Sequence, residues 1–351
     1  MTYSIVCFYI GGMNVILGID LGFRQTKSVC GYSKYRYPSL IGNPSAFELE
    51  QFTKSTEILD QLVVEFNDTT YYIGNKALET GNARLCTRTD KTNSDNDKIS
   101  YLATLGLHYY NVKNTGLTVV TGLPVEDLKE EGLKEKVIEN MKGTHQFLFG
   151  LDRTSVKMNV VRVLVIPQSA GAYFDYILDD NGKPIKKNLA AVKGKIIVID
   201  VGYKTTDIIT MLNGRFVSEM SCTIEKGMKD IHKELARLIK SIYGRKFDLS
   251  EMDDVCRNRC FNNKGVTIDV SNLILKAERP IAEAIINEAN AILGDTRSAD
   301  KVLACGGSMN LLKDYFEPFY KGYFEVLPNC EFSNASGYYK FGLLNESKSE
   351  T

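Results

Sequence analysis

Short apolar runs alternate along the chain with segments whose apolar residues recur every three or four positions. The apolar runs are bounded by glycine or proline and predict buried β-strands, which cover 15–19, 117–124, 160–167, 195–200 and 301–307. The three- and four-residue spacing predicts helices, which cover 98–110, 125–141, 168–178, 227–242 and 272–293. This alternation favours an α/β fold in which helices cover buried sheets, rather than a helical bundle or a sandwich.

Composition adds that the protein is globular and carries two lobes. Of its 351 residues, 44% are hydrophobic and 25% are charged, as is typical of folded globular proteins, and this length predicts two cores. The 43 basic residues balance the 43 acidic ones, so the overall charge does not attract DNA or an acidic membrane. We therefore expect no direct contact with nucleic acid and no membrane partner.

The cysteines and the first residues indicate a cytoplasmic protein. Eight scattered cysteines, several of them in predicted strands, favour free thiols in a reducing compartment. Cys256 and Cys260 have the spacing C-x₃-C with no histidine near them in sequence, which favours two cysteines one helical turn apart over a zinc site. Residues 1–12 lack the charge pattern of a signal peptide, and we interpret them as an N-terminal extension before a second start at Met13.

One strand-and-turn segment occurs twice. VILGIDLGFRQTK at 15–27 is repeated as KIIVIDVGYKTTD at 195–207. Identical residues stand at the strand end and in the turn of both copies: Asp20 and Asp200, Gly22 and Gly202, Thr26 and Thr206. A repeat at this separation indicates a duplicated fold rather than a short solenoid unit, so we expect two related lobes that face each other across a cleft.

The repeated pattern D-x-G-x-x-x-T is suited to phosphate. A turn after a buried strand directs successive N–H groups to one point, and glycine lets an anion approach the backbone. Carboxylates beside phosphate need a cation between them, so Asp20 and Asp200 predict hydrated Mg²⁺, and Lys27 adds a positive charge to the first turn. A single D-x-G can be an ordinary strand-to-turn device, but two copies favour phosphate binding. The chain has neither a P-loop nor a dinucleotide fingerprint.

With these turns the chain resembles the superfamily of actin, sugar kinases and heat-shock chaperone ATPases. IDLGFRQTK is similar to its first phosphate loop and IDVGYKTTD to its second, while VIPQSAGAYFDYI at 165–177 resembles the first connecting segment and LACGGSMNL at 303–311 the adenosine loop. These elements occur in the expected order from position 14 to about 311. TGLPV at 121–125 and the short length resemble the bacterial and plasmid actin-like proteins, including the ParM type.

The resemblance implies the actin-like ATPase fold, with two duplicated ribonuclease-H-like lobes around a nucleotide cleft. Lobe I is expected over 13–170, with a small subdomain at about 33–95. Lobe II is expected over 171–325, with a small subdomain at about 225–272. Residues 326–351 are expected to pack back on lobe I and to end in a disordered tail, ESKSET.

The resemblance also implies roles for individual residues. Asp20 and Asp200 would hold Mg²⁺ through its water ligands, and Lys27 would contact the β- and γ-phosphates of ATP, or of GTP as the alternative nucleotide. The residues expected to wrap the phosphates are Gly22, Phe23, Arg24, Gln25, Thr26, Gly202, Tyr203, Lys204, Thr205 and Thr206. Those expected at ribose and adenine are Glu225, Lys226, Gly306, Gly307 and Ser308. A solvated charge pair is the alternative for Glu225 and Lys226, and a simple strand-to-helix turn is the alternative for the glycines.

Gln168 falls where actin has the glutamine that orients the attacking water, whereas the ParM type has glutamate. Because glutamine is a weaker base, it would position the water, and Asp200 or a phosphate oxygen would receive the proton. The alternative is a residue after Pro167 that starts a helix and bonds only backbone. Tyr203 and Lys204 stand where many relatives have consecutive glycines, so we expect the second turn to depart from the loop geometry of actin.

The implied function is an ATPase that polymerises into nucleotide-regulated filaments. In the ParM type such filaments segregate plasmid DNA through a DNA-bound adaptor protein, so the expected partners are further copies of the chain and that adaptor. Filament contacts are expected in 32–37, 44–72 and 248–270. The alternative is a small-molecule kinase of the same superfamily, although no catalytic aspartate for a substrate pocket is evident. A chaperone-like scaffold would need a peptide-binding domain, for which the chain is too short.

Overall fold

The computed structural model describes residues 15–44, 57–80, 82–85, 95–112, 115–249, 251–293 and 299–349. The proposed N-terminal extension and part of the expected contact segment 44–72 lie outside the described residues. Within those ranges the chain divides into two compact units. The first comprises the described residues up to Asn188 and those from Phe332 onward, and the second runs from Leu189 to Glu331.

Strands and helices are numbered in chain order. The strands of the first unit are β1 Val15–Leu21, β2 Gln25–Cys30, β3 Ser33–Pro38, β4 Leu40–Gly42, β5 Val63–Phe66, β6 Thr69–Ile73, β7 Arg84–Leu85, β8 Gly116–Leu123, β9 Gly143–Phe149 and β10 Thr154–Pro167. Its helices are α1 Asn75–Leu78, α2 Asp95–Val112, α3 Val125–Lys129, α4 Leu133–Met141, α5 Ala170–Ile177 and α11 Ser333–Ser349. The strands form one mixed sheet in the order β3-β2-β1-β8-β10-β9-β5-β6-β4-β7.

Alternate side chains of the central strands enter two different cores, as expected for a strand that is covered on both faces. Leu17 and Ile19 of β1 pack with α2 residues such as Leu105 in the larger core. Ile16 of β1 faces the other way and packs with Tyr338 of α11. The helix α11 lies unusually close to its neighbours, because a Cβ at Gly337 would overlap the carbonyl oxygen of Gly171 in α5.

The second unit is a smaller sheet covered by helices. Its strands are β11 Lys195–Val201, β12 Thr206–Leu212, β13 Arg215–Ile224, β14 Cys260–Asn263, β15 Val266–Asp269, β16 Lys301–Cys305 and β17 Phe324–Val326. Its helices are α6 Leu189–Val192, α7 Met228–Tyr243, α8 Met252–Asn258, α9 Ser271–Leu293 and α10 Met309–Phe316. Five strands pair in the order β13-β12-β11-β16-β17, and β14 pairs with β15 as a separate hairpin. Residues of α7, α9 and α10 fill one core with β11, among them Leu235, Ile285 and Leu312.

The duplicated segment forms the same unit of structure twice. β1 pairs antiparallel with β2 and parallel with β8, and β11 pairs antiparallel with β12 and parallel with β16. Even the register agrees, because Leu21 lies opposite Thr26 and Val201 lies opposite Thr206. The α/β class and the internal duplication are therefore confirmed.

The predicted strands and helices are confirmed, with three local differences. The predicted helix 125–141 is divided into α3 and α4, because Gly132 before α4 adopts φ 76°, a left-handed conformation that interrupts a helix. The strand predicted from 160 begins at Thr154, where it pairs with β9. Cys256 and Cys260 do not share a helix, because α8 ends before Arg259, which has φ 56°, and Cys260 begins β14.

Two expected boundaries also differ from the structure. Residues 171–188 belong to the compact first unit rather than the second, because α5 packs against α11. The expectation of a disordered tail from Glu346 is wrong as far as Ser349, since α11 continues to that residue. Glu346 accepts a 3.0 Å hydrogen bond from Thr118 of β8, which fastens this end of the helix to the sheet.

Candidate functional site

In the first unit the expected catalytic and phosphate-binding groups lie at one edge of the sheet. β1, β8 and β10 are parallel neighbours, and Asp20 stands near the end of β1 while Gln168 directly follows β10. The carboxyl ends of parallel strands are the usual ligand-binding edge of an α/β sheet. Asp20 and Gln168 therefore occupy the edge at which a ligand would bind.

Asp20 and Lys27 form an ion pair across the first turn. They are opposite each other in the β1–β2 register, and the Lys27 ammonium lies 3.6 Å from the Asp20 carboxylate. Both side chains are largely buried, at 13% exposure for Lys27 and 7% for Asp20. Little water therefore screens this pair. The turn presents a carboxylate and an ammonium side by side, which suits a phosphate with its metal ion.

The hydroxyl of Thr26 braces the first turn from within. It lies 3.0 Å from the Ser39 hydroxyl, and Ser39 donates its own hydrogen to the Gly22 carbonyl oxygen at 2.6 Å. Since a hydroxyl has one hydrogen, Thr26 is the donor to Ser39. The Thr26 hydroxyl is thus committed to the protein, and its contribution to a ligand would come from the backbone.

The sequence analysis did not select Ser39. Its N–H also donates to the Arg24 carbonyl oxygen at 3.0 Å, so it contacts the turn at three positions. Ser39 lies between β3 and β4, and the β2–β3 hairpin brings it back to the turn. No local sequence pattern marks such a residue, because its role depends on the strand pairing.

The second turn is braced in a parallel manner. The Thr206 hydroxyl donates to the Lys226 carbonyl oxygen at 2.9 Å, and the Gly202 N–H donates to the Thr205 carbonyl oxygen at 2.9 Å. Asp200 is buried at the end of β11. In both units, therefore, the threonine of the repeated pattern holds its turn against a following segment. Asp207, the next residue of β12, accepts a 2.5 Å hydrogen bond from Thr223.

The start of α7 is fastened to the second turn. The N–H groups of Met228 and Lys229 donate to the carbonyl oxygens of Gly202 and Tyr203, at 3.1 and 2.7 Å. This contact places Lys226 beside the turn, whereas Glu225 is exposed. The ring of Tyr203 meets His232 of α7 edge-on, with a centroid distance of 5.7 Å.

The glycine turn after β16 lies against Asp200. Asp200 and Cys305 are neighbours in the β11–β16 register, and Gly306 has φ +95°, a conformation that favours glycine. A Cβ at Gly306 would overlap the Val201 carbonyl oxygen and the Asp200 carboxylate. Gly307 is exposed and has open space around it, while the buried Ser308 lies with its hydroxyl 3.4 Å from the Gly202 carbonyl oxygen.

The backbone of Gln168 is fixed at both ends. Its N–H donates to the Leu123 carbonyl oxygen at 2.8 Å, and its carbonyl oxygen accepts from the Tyr338 hydroxyl at 2.7 Å. Its partly exposed side-chain amide makes no hydrogen bond with the part of the chain that the structure describes. The amide is thus available to a ligand or water.

The predicted site residues therefore form two groups, one in each unit. The first unit brings together Asp20, Lys27 and Gln168 with the partly buried Gly22, Phe23, Arg24 and Gln25. The second brings together Asp200, Gly202, Lys226, Gly306 and Ser308, with Tyr203, Lys204 and Thr205 partly buried in the turn. The cleft between lobes stays a prediction.

Comparison with known proteins agrees with this division. Residues 18–171 match the family of actin-like proteins, N-terminal domain, and residues 198–318 match the archaeal actin homologue MreB-like, C-terminal family. An archaeal actin homolog from Thermoplasma acidophilum is 28% identical over 340 residues, which is 92% of this chain and 97% of the relative.

Solved structures share the fold over nearly the whole chain. A 15-stranded ParM filament from Clostridium botulinum has a subunit that is 27% identical with a TM-score of 0.80, covering 94% of this chain and 99% of that one. An archaeal actin homolog in complex with ADP has a TM-score of 0.72 at 18% identity, covering 93% of this chain and 99% of that one. The chain belongs to the actin-like ATPase superfamily, and the expected actin-like fold is confirmed.

No helix among the described residues is long and apolar enough to cross a membrane. Every cysteine within the described ranges is a free thiol.

Proposed function

We propose that the chain binds ATP with Mg²⁺, hydrolyses it, and uses the nucleotide to control its own polymerisation into filaments. The observation that carries the proposal is the duplicated turn, in which each unit presents a buried carboxylate at a strand end beside a braced glycine turn. The similarity to a ParM filament subunit over 94% of this chain supports the filament. GTP is the alternative nucleotide.

The residues fit a magnesium-bound triphosphate. Asp20 and Asp200 would accept hydrogen bonds from the water ligands of Mg²⁺. The bound Mg²⁺ ion would neutralise part of the phosphate charge. Lys27 would contact the β- and γ-phosphates. The open space at Gly307 and the close fit of Gly306 suit a backbone that lies against the ribose or base, with Ser308, Glu225 and Lys226 beside it.

Hydrolysis would proceed by attack of water on the γ-phosphorus. The Gln168 amide oxygen would accept a hydrogen bond from the water and so orient it, without taking its proton, because a neutral amide is not a base. The bond to the oxygen that bridges the β- and γ-phosphates breaks, and ADP and phosphate form. The proton of the water passes to a phosphate oxygen or to Asp200.

The nucleotide state would control the filament. The γ-phosphate would hold the two turns in the assembly-competent arrangement, and its loss would weaken subunit contacts, as in other nucleotide switches. Contacts would lie in the small subdomains at about 33–95 and 225–272. We propose a cytoplasmic filament that segregates plasmid DNA through a DNA-binding adaptor, since the chain has no net charge to bind DNA itself.

The test is nucleotide-dependent assembly of the purified full chain. Light scattering and negative-stain imaging would follow polymer with ATP, GTP, ADP and a non-hydrolysable ATP analogue, while phosphate release is measured in parallel. We expect polymer with ATP, a longer-lived polymer with the analogue, and phosphate release without any added acceptor. A lack of polymer with every nucleotide across salt and protein concentrations would contradict the filament. Formation of ADP only on addition of a small-molecule acceptor, with the phosphoryl group on that acceptor and no free phosphate, would indicate a kinase.

A further inference from the structure

Tyr338 reaches the backbone of Gln168 from a helix that lies 170 residues later in the chain. It stands in α11 and has no exposed surface. Its phenolic hydroxyl donates to the Gln168 carbonyl oxygen at 2.7 Å. This partly buried hydrogen bond runs from the last helix to the residue that would orient the attacking water.

The hydrogen bond completes a set of restraints on Gln168. Its N–H is held by Leu123 at the end of β8, and its carbonyl oxygen also accepts from the Gly171 N–H at 3.2 Å. With both peptide groups fixed, the direction of the Cα–Cβ bond is fixed as well. The side-chain amide can then occupy a smaller volume than it could on a freely turning loop.

Two glycines leave room for the phenol. A Cβ at Gly122 would overlap the Tyr338 hydroxyl and lie 2.6 Å from the Gln168 Cα, and a Cβ at Gly171 would lie 2.7 Å from the Tyr338 ring. Neither glycine has a positive φ, so a side chain is absent at both positions because there is no space for one. The phenol therefore packs closely against both glycines, with its hydroxyl at the Gln168 carbonyl oxygen.

The helix that carries Tyr338 is itself anchored on both sides of this residue. The Asn334 side-chain oxygen accepts from the Ala172 N–H at 3.3 Å, and the Lys340 ammonium pairs with Asp175 at 2.7 Å. Both contacts join α11 to α5, which begins immediately after Gln168 and Ser169. A displacement of α11 would thus be transmitted to Gln168 directly.

We propose that Tyr338 is a positioning residue for ATP hydrolysis, which acts by holding the Gln168 backbone so that its amide orients the attacking water. The inference rests on the proposed ATPase function. Tyr338 touches neither nucleotide nor water in this role. Its contribution belongs to the chemical step rather than to nucleotide binding.

The test compares Tyr338→Phe with wild type and with the matched variant Tyr173→Phe. Tyr173 is a buried tyrosine of α5 whose hydroxyl has no hydrogen-bond partner among the described residues. Because the Gln168 carbonyl loses one of its two partners and its backbone is held less firmly, we expect kcat of Tyr338→Phe to fall about three- to tenfold. KM for ATP should stay within about twofold, since ground-state binding is unchanged, and Tyr173→Phe should keep wild-type kcat.

A double-mutant cycle shows whether Tyr338 acts through Gln168. In a Gln168→Ala background, Tyr338→Phe should have no further effect on kcat, because the side chain that it positions is absent. The same fold-loss in both backgrounds would overturn the inference, as would wild-type kcat in Tyr338→Phe alone.

A measurement without nucleotide tests the contact independently of turnover. Hydrogen exchange of the Gln168 and Gly171 amides should be faster in Tyr338→Phe than in wild type or Tyr173→Phe. Unchanged exchange would overturn the inference. A wild-type chain that releases no phosphate from ATP would instead contradict the proposed ATPase function, so the two failures are distinguishable.

Discussion

Ser39 and Gly22 are joined by a 2.6 Å hydrogen bond, in which the serine hydroxyl donates to the carbonyl oxygen in the first turn of the repeat. The same hydroxyl accepts from Thr26, and the Ser39 N–H binds the Arg24 carbonyl oxygen. One buried residue outside the repeated pattern thus fixes three positions within it. The conformation of the first turn depends on the connection between β3 and β4.

Replacing Ser39 by alanine should therefore weaken nucleotide binding. The change leaves the Gly22 carbonyl and the Thr26 hydroxyl without their buried partner, and we expect a loss of about three- to tenfold in ATP affinity, the effect of one such hydrogen bond. Titration with a fluorescent ATP analogue measures it. Ser155→Ala, at an exposed position of β10, is the control. Equal affinity in the two variants would show that the turn keeps its shape without Ser39.

The adjacent glycines after β16 should respond differently to alanine. Gly306→Ala places a Cβ against Val201 and Asp200 at φ +95°, so the free energy of unfolding should fall by about 2 kcal/mol or more. Gly307→Ala meets open space and should change stability by less than about 0.5 kcal/mol. If Gly307 lies against the base or ribose, its alanine variant should still lose ATP affinity. Denaturant unfolding and nucleotide titration of both variants check these expectations, and equal stabilities would contradict the close fit at Gly306.

Substitutions of Asp200 and Gln168 should show whether filament assembly can occur when ATP hydrolysis is slowed or abolished. Asp200→Ala should abolish Mg²⁺-dependent hydrolysis, since the metal loses its carboxylate in the second unit. Gln168→Ala should slow hydrolysis about 100-fold, a loss typical of a group that assists proton movement or orients a reactant, yet it should leave filaments that form with ATP and last longer. Phosphate release and light scattering on the same samples measure both effects. Wild-type hydrolysis by Gln168→Ala would refute its assignment.

The buried pair of Lys340 and Asp175 should matter for stability. Their atoms are 2.7 Å apart, and the two side chains are 11% and 17% exposed. Burial raises the pKa of Asp175 above its usual value, although the Lys340 ammonium acts in the opposite direction. Lys340→Met removes the ammonium from this largely buried carboxylate, which keeps its hydrogen bond with Ser333, and should lower the free energy of unfolding by about 3 kcal/mol. Lys340→Met with Asp175→Leu should recover much of that loss; a double variant as unstable as the single one would contradict the ion-pair account.

His108 should make the protein sensitive to acid. His108 belongs to α2, and its Nε2 lies 2.9 Å from the hydroxyl of Ser28 in β2. Burial lowers the pKa of His108 to about 3. Below pH about 6.5 the unfolded chain binds a proton that the folded chain does not, so stability falls as the pH decreases from 6.5 toward 3.

At pH 5.5 this single group should cost about 1.2 kcal/mol relative to pH 7. Denaturant unfolding of wild type and His108→Gln at several pH values isolates the effect, because other titrating groups are common to both proteins. The wild type should lose more stability on acidification. If the free energy of unfolding depends on pH equally in both proteins, His108 does not control the loss of stability in acid.

The central strands and their turns could be predicted because the signals are local. β1 and β11 are apolar runs with an aspartate near the end, and their repetition predicts the two related turns that the structure shows. The roles of Thr26 and Thr206 were less accessible, since the direction of a hydroxyl depends on which segment the fold places beside it. The contacts of Ser39 and Tyr338 were not predicted at all, because each crosses between strands or helices that only the folded chain brings together.

The last helix shows a second limit of sequence patterns. Apolar periodicity identifies helices that bury a stripe of large side chains, but α11 packs through Gly337 and Ala335 as well as Tyr338. Its small residues allow close contact with α5 and β1 without a regular apolar stripe. The polar composition of ESKSET likewise predicts a disordered tail, although Glu346 is bound to Thr118.

The position of α11 in the sequence has a consequence for biosynthesis. The second unit is continuous from Leu189 to Glu331, whereas the first unit needs residues on both sides of it. Because translation proceeds from the N-terminus, the sheet face around Ile16 and Val120 stays uncovered until α11 has been made. The second unit can complete its core earlier than the first. The first unit, which holds most of the N-terminal half, can therefore complete its core only after the whole second unit has been synthesised.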